Sequence, residues 1–353
     1  KLITTGSYVK KFEKKISKFL NAKYALSCNN GTSALHLSFL ASGIKEGDII
    51  IMPIINFISS YNMCKLLGAK IFFADVDKKT GIITPEAILR CIKVNNLKQI
   101  KAIIVQYMGG FPAYNDKFYK LKKKYNCLII EDACHAFGAR YRLNGKTFMI
   151  GSCKHSDISA FSFHPLKPIT TGEGGCITTN NKKIYNKIIK LRSHGIDRDK
   201  NKHWSYDVHS IGYNYRLSDI NCALGFSQIK RLNQFIKKRK KIYTYYKEKL
   251  NNYKNQISFP DYVHSFSTYH LVLLNINFRN LNIKNKFFKY MKRNNVFCQY
   301  HYIPLNNFTS VKEKSKNLFN YKVYHLKTIS IPIHHNLRLS EINYVIKKIK
   351  NFF

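Results

Sequence analysis

The sequence predicts an α/β protein: a mostly parallel sheet flanked by helices, followed by a smaller C-terminal α+β domain. Three observations carry this expectation. From Ala22 to about Thr179 short apolar runs alternate with helix-sized segments, the rhythm of βαβ units. One long amphipathic stretch then runs from about Leu217 to Leu250. Beyond Pro260 strands and helices continue in a different order. A chain of 353 residues is too long for one small core. We therefore expect a large ligand-binding domain over 1–230 and a small C-terminal domain over 231–353.

Taken in order, a helix-like segment starts near Tyr8. The runs Tyr24–Cys28, Ile49–Met52, Lys70–Ala74, Ala102–Val105 and Cys127–Ile130 are short and apolar, as strands covered on both faces must be. Ser33–Ser42, Pro85–Val94 and Lys117–Lys124 read as the intervening helices. Cys176–Thr179, after a glycine turn, reads as another strand. In the long stretch Ile229, Leu232, Ile236, Tyr243, Tyr246 and Leu250 share one stripe, with lysines opposite. The remainder reads as strand Tyr269–Phe278, helix Lys284–Arg293, strand Val296–Tyr302, strand Ile329–Ile333 and a final helix capped by Ser340.

Sixty basic residues against nineteen acidic ones leave a net charge of +41, a balance that suits a nucleic-acid binder. The lysines are nevertheless spread along the whole chain, as at Lys10-Lys11, Lys122–Lys124, Lys237-Lys238 and Lys347-Lys348, on what read as polar helix faces. The abundance of Asn, Ile, Tyr and Phe, all written by A/T-rich codons, points to composition bias as the source. No nucleic-acid partner is expected, although a basic surface helps to capture an anionic small molecule. Ile49–Ile55, the longest apolar run, is far too short to cross a bilayer, so no membrane partner is expected. Nine cysteines without a C-x-x-C pair signal neither a zinc site nor a disulfide framework. We expect no metal and a reducing, cytoplasmic setting. The chain opens at Lys1 without a methionine, and a preceding segment is expected.

The stretch Ser159–Gly175 carries the strongest chemical signal. Lys167 lies between Pro165 and Pro168, just ahead of the Thr170–Gly175 turn. A restrained backbone holds its amine in one geometry, as attack on a carbonyl carbon requires; a proline-bounded loop with a solvated lysine has the same look. At Cys28–Ala34 a strand passes into a helix through Gly31, Thr32 and Ser33, which describes a phosphate cradle or an ordinary helix start. Glu131-Asp132 ends an apolar strand, where open α/β sheets bind ligands. There Asp132 can be a base, a metal ligand, a helix cap or the countercharge that keeps a pyridine nitrogen protonated. His135 can face the phenolic oxygen of such a ring, Phe57 can stack on it, and Ser162 can offer a second phosphate hydroxyl. Each of these three also has an ordinary core reading.

In this order the motifs resemble the pyridoxal-phosphate-dependent sugar aminotransferases, the DegT/DnrJ/EryC1/StrS family. The resemblance rests on Asn30–Leu35, Glu131–Ala133, Lys167 with Thr170–Gly175, Arg192–Gly195 and Gly212–Leu217, and spans the chain from Ile3–Gly6 to Ile331–His334. It implies a homodimer of PLP-dependent transferase fold type I, with Lys167 and Asp132 catalytic. The cofactor, pyridoxal 5'-phosphate, would be held by Gly31, Thr32, Phe57, Asp132, His135, Ser162 and Lys167, with Asn214 reaching in from the neighbouring subunit. Thr5, Gly6, His301 and Tyr302 would meet a nucleotide sugar, and L-glutamate would supply the amine. The segments Phe161–Thr171, Leu191–Ile196, Gly212–Asp219 and Gln299–Pro304 look like the branch that aminates a UDP-linked 4-keto-6-deoxy-N-acetylhexosamine for pseudaminic acid. Two departures stand out: Asn56 where a threonine is expected, and Met108–Pro112, which differs from that branch's loop. A dehydratase of the same family would carry histidine in place of Lys167.

Overall fold

The computed structural model describes residues 3–199, 201–202, 204–262, 265–313 and 316–353. Helices α1 (Ser7–Leu20), α2 (Gly31–Ala41), α3 (Ile58–Leu66), α4 (Pro85–Val94) and α5 (Asn115–Tyr125) alternate with strands β1 (Tyr24–Cys28), β2 (Ile49–Pro53), β3 (Lys70–Ala74), β4 (Ile100–Gln106) and β5 (Leu128–Asp132). A hairpin, β6 (Arg140–Leu143) and β7 (Lys146–Met149), precedes β8 (Ile158–Ser162) and β9 (Gly175–Thr179). Seven strands form the central sheet in the order β1-β9-β8-β5-β4-β2-β3. β9 runs antiparallel to both β1 and β8, and the other neighbours pair in parallel. Six strands therefore point the same way.

Alternation of side chains explains how the sheet is covered on both faces. Ile51, Ile103, Val105 and Ile129 enter a core with Phe12 and Ile16 of α1. Ile50, Met52, Ile104 and Ile130 enter the opposite core with Leu35 and Leu37 of α2. That second core continues without a break into Leu273, Leu274, Phe287 and Ile346 of the C-terminal region.

After α6 (Lys182–Leu191) and the short ribbon β10 (Ile196–Arg198) and β11 (Tyr206–Val208) comes α7 (Asp219–Leu250). Its N-terminus is capped by the Ser218 hydroxyl, which accepts the Asn221 N–H. Ile229, Leu232, Tyr243, Tyr246 and Leu250 are buried as the stripe requires, whereas Ile236 is half-covered. Residue 230 falls inside this helix, which runs on from the large sheet beside the small one. The small antiparallel sheet has the order β12-β14-β15, with β12 (Ile257–Ser258), β14 (Val272–Ile276) and β15 (Thr328–Ile331). Between β12 and β14 lies β13 (Ser265–Phe266), which joins the β6-β7 hairpin. α8 (Leu281–Arg293), α9 (Asn320–Lys327) and α10 (Leu339–Phe352) complete the chain.

Two local expectations need correction, and one strand was not anticipated. Val296–Tyr302 is not a strand; it makes one bridge, Gln299 to Ser330, before the His301 carbonyl turns to accept the Tyr324 hydroxyl at 2.7 Å. α10 is capped at Arg338 rather than Ser340, because Glu341 folds back to accept the Arg338 N–H at 2.8 Å. The strand β8 lies within a segment whose serines obscure it. Ser159 is buried because its hydroxyl donates to Glu131, a partner that only tertiary structure supplies.

One carboxylate ties the large sheet to the C-terminal region. Asp75, immediately after β3 and 2% exposed, accepts the N–H groups of Phe319 (2.8 Å), Asn320 (2.9 Å) and Tyr321 (2.9 Å). These are donors that the start of α9 leaves free. No helix among the described residues is long and apolar enough to cross a membrane. We predict that Asp75→Ala lowers stability by about 1–3 kcal/mol, because three N–H groups at the helix start, that of the buried Tyr321 among them, lose their acceptor. Urea unfolding would measure it, and an unchanged midpoint would contradict the role assigned to Asp75.

Candidate active site

Strands β1, β2, β4, β5 and β8 all end at one edge of the sheet, and each delivers polar or aromatic groups there. Asn30 and Gly31 follow β1, Phe57 follows β2, and Gln106, Asp132 and Ser162 are the last residues of β4, β5 and β8. They line a cleft of about 750 Å³ together with Thr32, His135, Lys167, His301 and Tyr302. The volume is in the range of small-molecule sites, and the position is the carboxyl edge where such sheets bind ligands.

The floor of the cleft is set by close backbone approach. Asn30 caps α2, its side chain accepting the Ser33 N–H at 2.8 Å. The N–H groups ahead of Ser33 are left for a ligand. A Cβ at Gly31 would stand 2.8 Å from the Ser162 Cβ, so only glycine lets the helix start meet the end of β8. Gly31, Thr32 and the Ser162 hydroxyl thus form one concave cradle with the character of an anion site.

Lys167 stands on a loop tied to itself. Its N–H donates to the His164 carbonyl at 2.9 Å, and the Phe163 carbonyl accepts both the Thr170 hydroxyl and the Thr171 N–H at 3.0 Å. The residue as a whole is half-buried, but its amine is enclosed in the cleft, and this desolvation holds its pKa below the usual lysine range. Lowering the pKa favours the neutral, nucleophilic amine.

Asp132 is 2% exposed and accepts the Ser60 hydroxyl at 3.0 Å, with the Cys134 N–H at 3.4 Å. His135 shares a 2.8 Å hydrogen bond between its Nε2 and the Tyr302 hydroxyl, and its Nδ1 is buried without a partner. Burial, reinforced by the charge of Lys167, holds the His135 pKa well below the usual histidine value. His301 is anchored through Nδ1 to the Ser330 hydroxyl at 2.7 Å. Phe57 remains half exposed over the opening, its ring centre 5.6 Å from that of Tyr302. Glu131, the alternative carboxylate, turns into the core instead, where it accepts from Tyr107 at 2.8 Å and from Ser159. Among the described residues no group of three or more His, Cys, Asp or Glu is arranged to hold a metal ion.

Three expected residues lie outside this cleft. Thr5 is exposed, Gly6 is the N-cap of α1, and neither lines it. Asn214 is exposed and bridges Ser193, next to Tyr215, whose carbonyl accepts the Asn29 N–H at 2.9 Å. Four lining or supporting residues escape a reading of the sequence: Ser60, Gln106, Arg239 and His270. Only Gln106 carried a signal, as a polar residue ending an apolar strand.

The residues present fit pyridoxal 5'-phosphate. Gly31, Thr32 and Ser162 offer donors without side-chain obstruction, Asp132 offers a buried carboxylate, and the orphaned His135 Nδ1 offers a polar atom in need of a partner. Lys167 offers an enclosed amine in the same cleft.

A model of the DegT/DnrJ/EryC1/StrS aminotransferase family matches residues 1–350. The UDP-4-amino-4,6-dideoxy-N-acetyl-beta-L-altrosamine transaminase of Campylobacter jejuni subsp. jejuni serotype O:23/36 is 36% identical over 348 residues, 98% of this chain and 89% of that protein. The GDP-perosamine synthase of Escherichia coli O157:H7 is 38% identical over 247 residues, 70% of this chain and 64% of that protein. The structure of Helicobacter pylori PseC, an aminotransferase involved in the biosynthesis of pseudoaminic acid, aligns with a TM-score of 0.90 at 27% identity. It covers 100% of this chain and 93% of its own.

The buried imidazoles make stability depend on pH. Burial holds His135 and His270 well below the usual histidine value and His301 down to about 4, with the charge of Lys167 adding in each case. Once unfolded, all three bind protons near pH about 6.5. Their contribution to stability is therefore present above about pH 6.5 and lost as pH falls toward the folded values. Thermal melts should show Tm dropping from about pH 7.5 to about pH 5, with a shallower slope for His301→Asn. A Tm independent of pH over that window would contradict this account.

Proposed function

The chain belongs to the DegT/DnrJ/EryC1/StrS aminotransferase family, and we propose that it transfers the amino group of L-glutamate to C4 of a UDP-linked 4-keto-6-deoxy-N-acetylhexosamine. The product would be UDP-4-amino-4,6-dideoxy-N-acetyl-β-L-altrosamine, used in pseudaminic acid biosynthesis. The enzyme is a pyridoxal-phosphate-dependent sugar aminotransferase. The observation that carries the reaction is the enclosure of the Lys167 amine in the same cleft as Asp132 and the anion cradle at the start of α2. What supports the sugar is likeness over 98% of the chain to the Campylobacter jejuni transaminase.

When bound, pyridoxal phosphate supplies an aldehyde to receive the amine and a protonated ring that accepts negative charge from the donor's Cα. Lys167 is assigned two tasks. Its Nζ would hold the cofactor's aldehyde carbon and, as a free amine, would carry the proton removed from the donor's Cα. Asp132 would hold a positive charge at the ring nitrogen, a pairing that its burial favours. Tyr302 fixes the ring of His135, leaving Nδ1 to meet the cofactor. Phe57 would cover the ring, and Gly31, Thr32 and Ser162 would hold its phosphate. His301 and Tyr302 in this cleft are assigned to the sugar nucleotide; Thr5 and Gly6, outside it, would have to meet that substrate from a second subunit. The exposed position of Asn214 suits presentation to the phosphate of a second subunit, in a homodimer. The division into domains at 230/231 and a cytoplasmic setting belong to the same reading.

A second reading assigns a sister nucleotide sugar. It is favoured by the 38% identity to a GDP-perosamine synthase over 70% of this chain. Asn56 and Met108–Pro112 are the positions where this chain departs from the expected motifs, and Asn56 Nδ2 is buried without a partner.

Incubation with glutamate and a panel of nucleotide-linked 4-keto sugars, with the amino product identified by NMR, decides between the two. Another product stereochemistry or nucleotide would replace the first reading with the second. Lys167→Ala is expected to abolish transamination and the covalent cofactor absorbance while circular dichroism stays native. Asp132→Ala should lose about 10²-fold or more in rate. Substantial turnover by the Lys167 variant would remove the assigned role.

A further inference from the structure

Buried cations need a counter-charge, and the one on α7 lacks it. Arg239 is 3% exposed and lines the cleft. Among the described residues its hydrogen bonds are two long ones from Nη1, to the carbonyls of His270 and Ile333, each at 3.3 Å. Its Nε is buried without an acceptor, and it takes part in no ion pair among the described residues. The partly buried Arg192, by contrast, meets the carboxylate of Glu13. The side chains near Arg239 do not compensate it. His270, His334 and His335 line the same part of the cleft, and Lys238 adds charge nearby. Desolvation lowers the pKa of Arg239 to about 10, which still leaves it a cation at neutral pH.

A guanidinium taken out of water with its donors unfilled is costly unless a ligand completes it. Its planar fork matches a carboxylate in a bidentate pair. We infer that Arg239 is a binding residue for a carboxylate of the amino donor. The inference rests on the reading of an acidic amino acid as donor. The two competing anions are less well placed. The cofactor's phosphate has the cradle of Gly31, Thr32 and Ser162, which belongs to the sheet rather than to α7. A nucleotide sugar is bulky and needs the open rim, where Leu166 and Phe297 are 71% and 62% exposed. Arg239 lies deep, bonded to the carbonyl of His270, whose ring centre is 4.3 Å from that of His135. A compact carboxylate reaches that depth.

The test compares cofactor-loaded wild type with Arg239→Met and Arg239→Lys. Calorimetry with glutarate reads the carboxylate site without turnover, and the KM of each half-reaction is measured separately. Arg239→Met should weaken glutarate and raise the glutamate KM about 10- to 100-fold, the range for a charge-assisted hydrogen bond. The KM for the nucleotide sugar should stay within about twofold, and Arg239→Lys should fall between. The ligand-free Tm of Arg239→Met should hold or rise, because an unpaired buried charge has been removed. Unchanged glutarate affinity with a raised nucleotide-sugar KM would overturn the inference in favour of the diphosphate. Unchanged affinities with a lowered Tm would reduce Arg239 to a structural strut. Wild type that binds glutarate yet fails to use glutamate would overturn the proposed reaction and leave the carboxylate site standing.

Discussion

Everything at the cleft depends on two chain segments approaching closer than side chains allow. Gly175, the first residue of the antiparallel strand β9, pairs with Cys28 on one side and Ser162 on the other. A Cβ there would lie 2.4 Å from the Asn30 carbonyl oxygen, a separation no side chain tolerates. Because that space stays empty, the start of α2 and the end of β8 come together and Gly31 rests against Ser162. The anion cradle is thus a consequence of sheet topology, made from two strands that are not neighbours in sequence. The loop bearing Lys167 leaves the same strand end and returns to Gly175, so the position of the amine follows from the same contact.

A second dependence runs from the far edge of the sheet. Asp75 gathers the first N–H groups of α9, and Tyr324 on that helix donates to the His301 carbonyl at 2.7 Å. The next residue, Tyr302, holds His135 through its hydroxyl. A chain of hydrogen bonds and one short helix therefore links β3 to an imidazole in the cleft. The C-terminal region supplies the cleft's second wall and shares one apolar core with the sheet. Its position relative to the sheet is accordingly set by packing as well as by these bonds.

Burial has opposite meanings for the groups enclosed here. For Lys167, His135 and His301 it favours the uncharged form, which suits the nucleophilic role proposed for Lys167. For Arg239 desolvation cannot remove the charge within the neutral range, and the missing partner becomes information about the ligand.

The sequence by itself determined the alternation of strands and helices, because continuous apolar runs between helical periods leave a chain little choice but a covered parallel sheet. It also marked Lys167, Asp132, Gly31 and Thr32 as candidates, since each sits in a strand-end or turn pattern with its own local logic. Tertiary structure decided the rest. β8 was hidden because Ser159 looks exposed until Glu131 receives its hydroxyl. Val296–Tyr302 reads as a strand until Tyr324 claims the carbonyl of His301. Ser60, Gln106, His270 and Arg239 carry no decisive local pattern, because what matters about each is a neighbour at the carboxyl edge of another strand or helix. Local propensity is written in short windows of sequence; the absence of a counter-charge beside a buried arginine exists only once distant segments have packed.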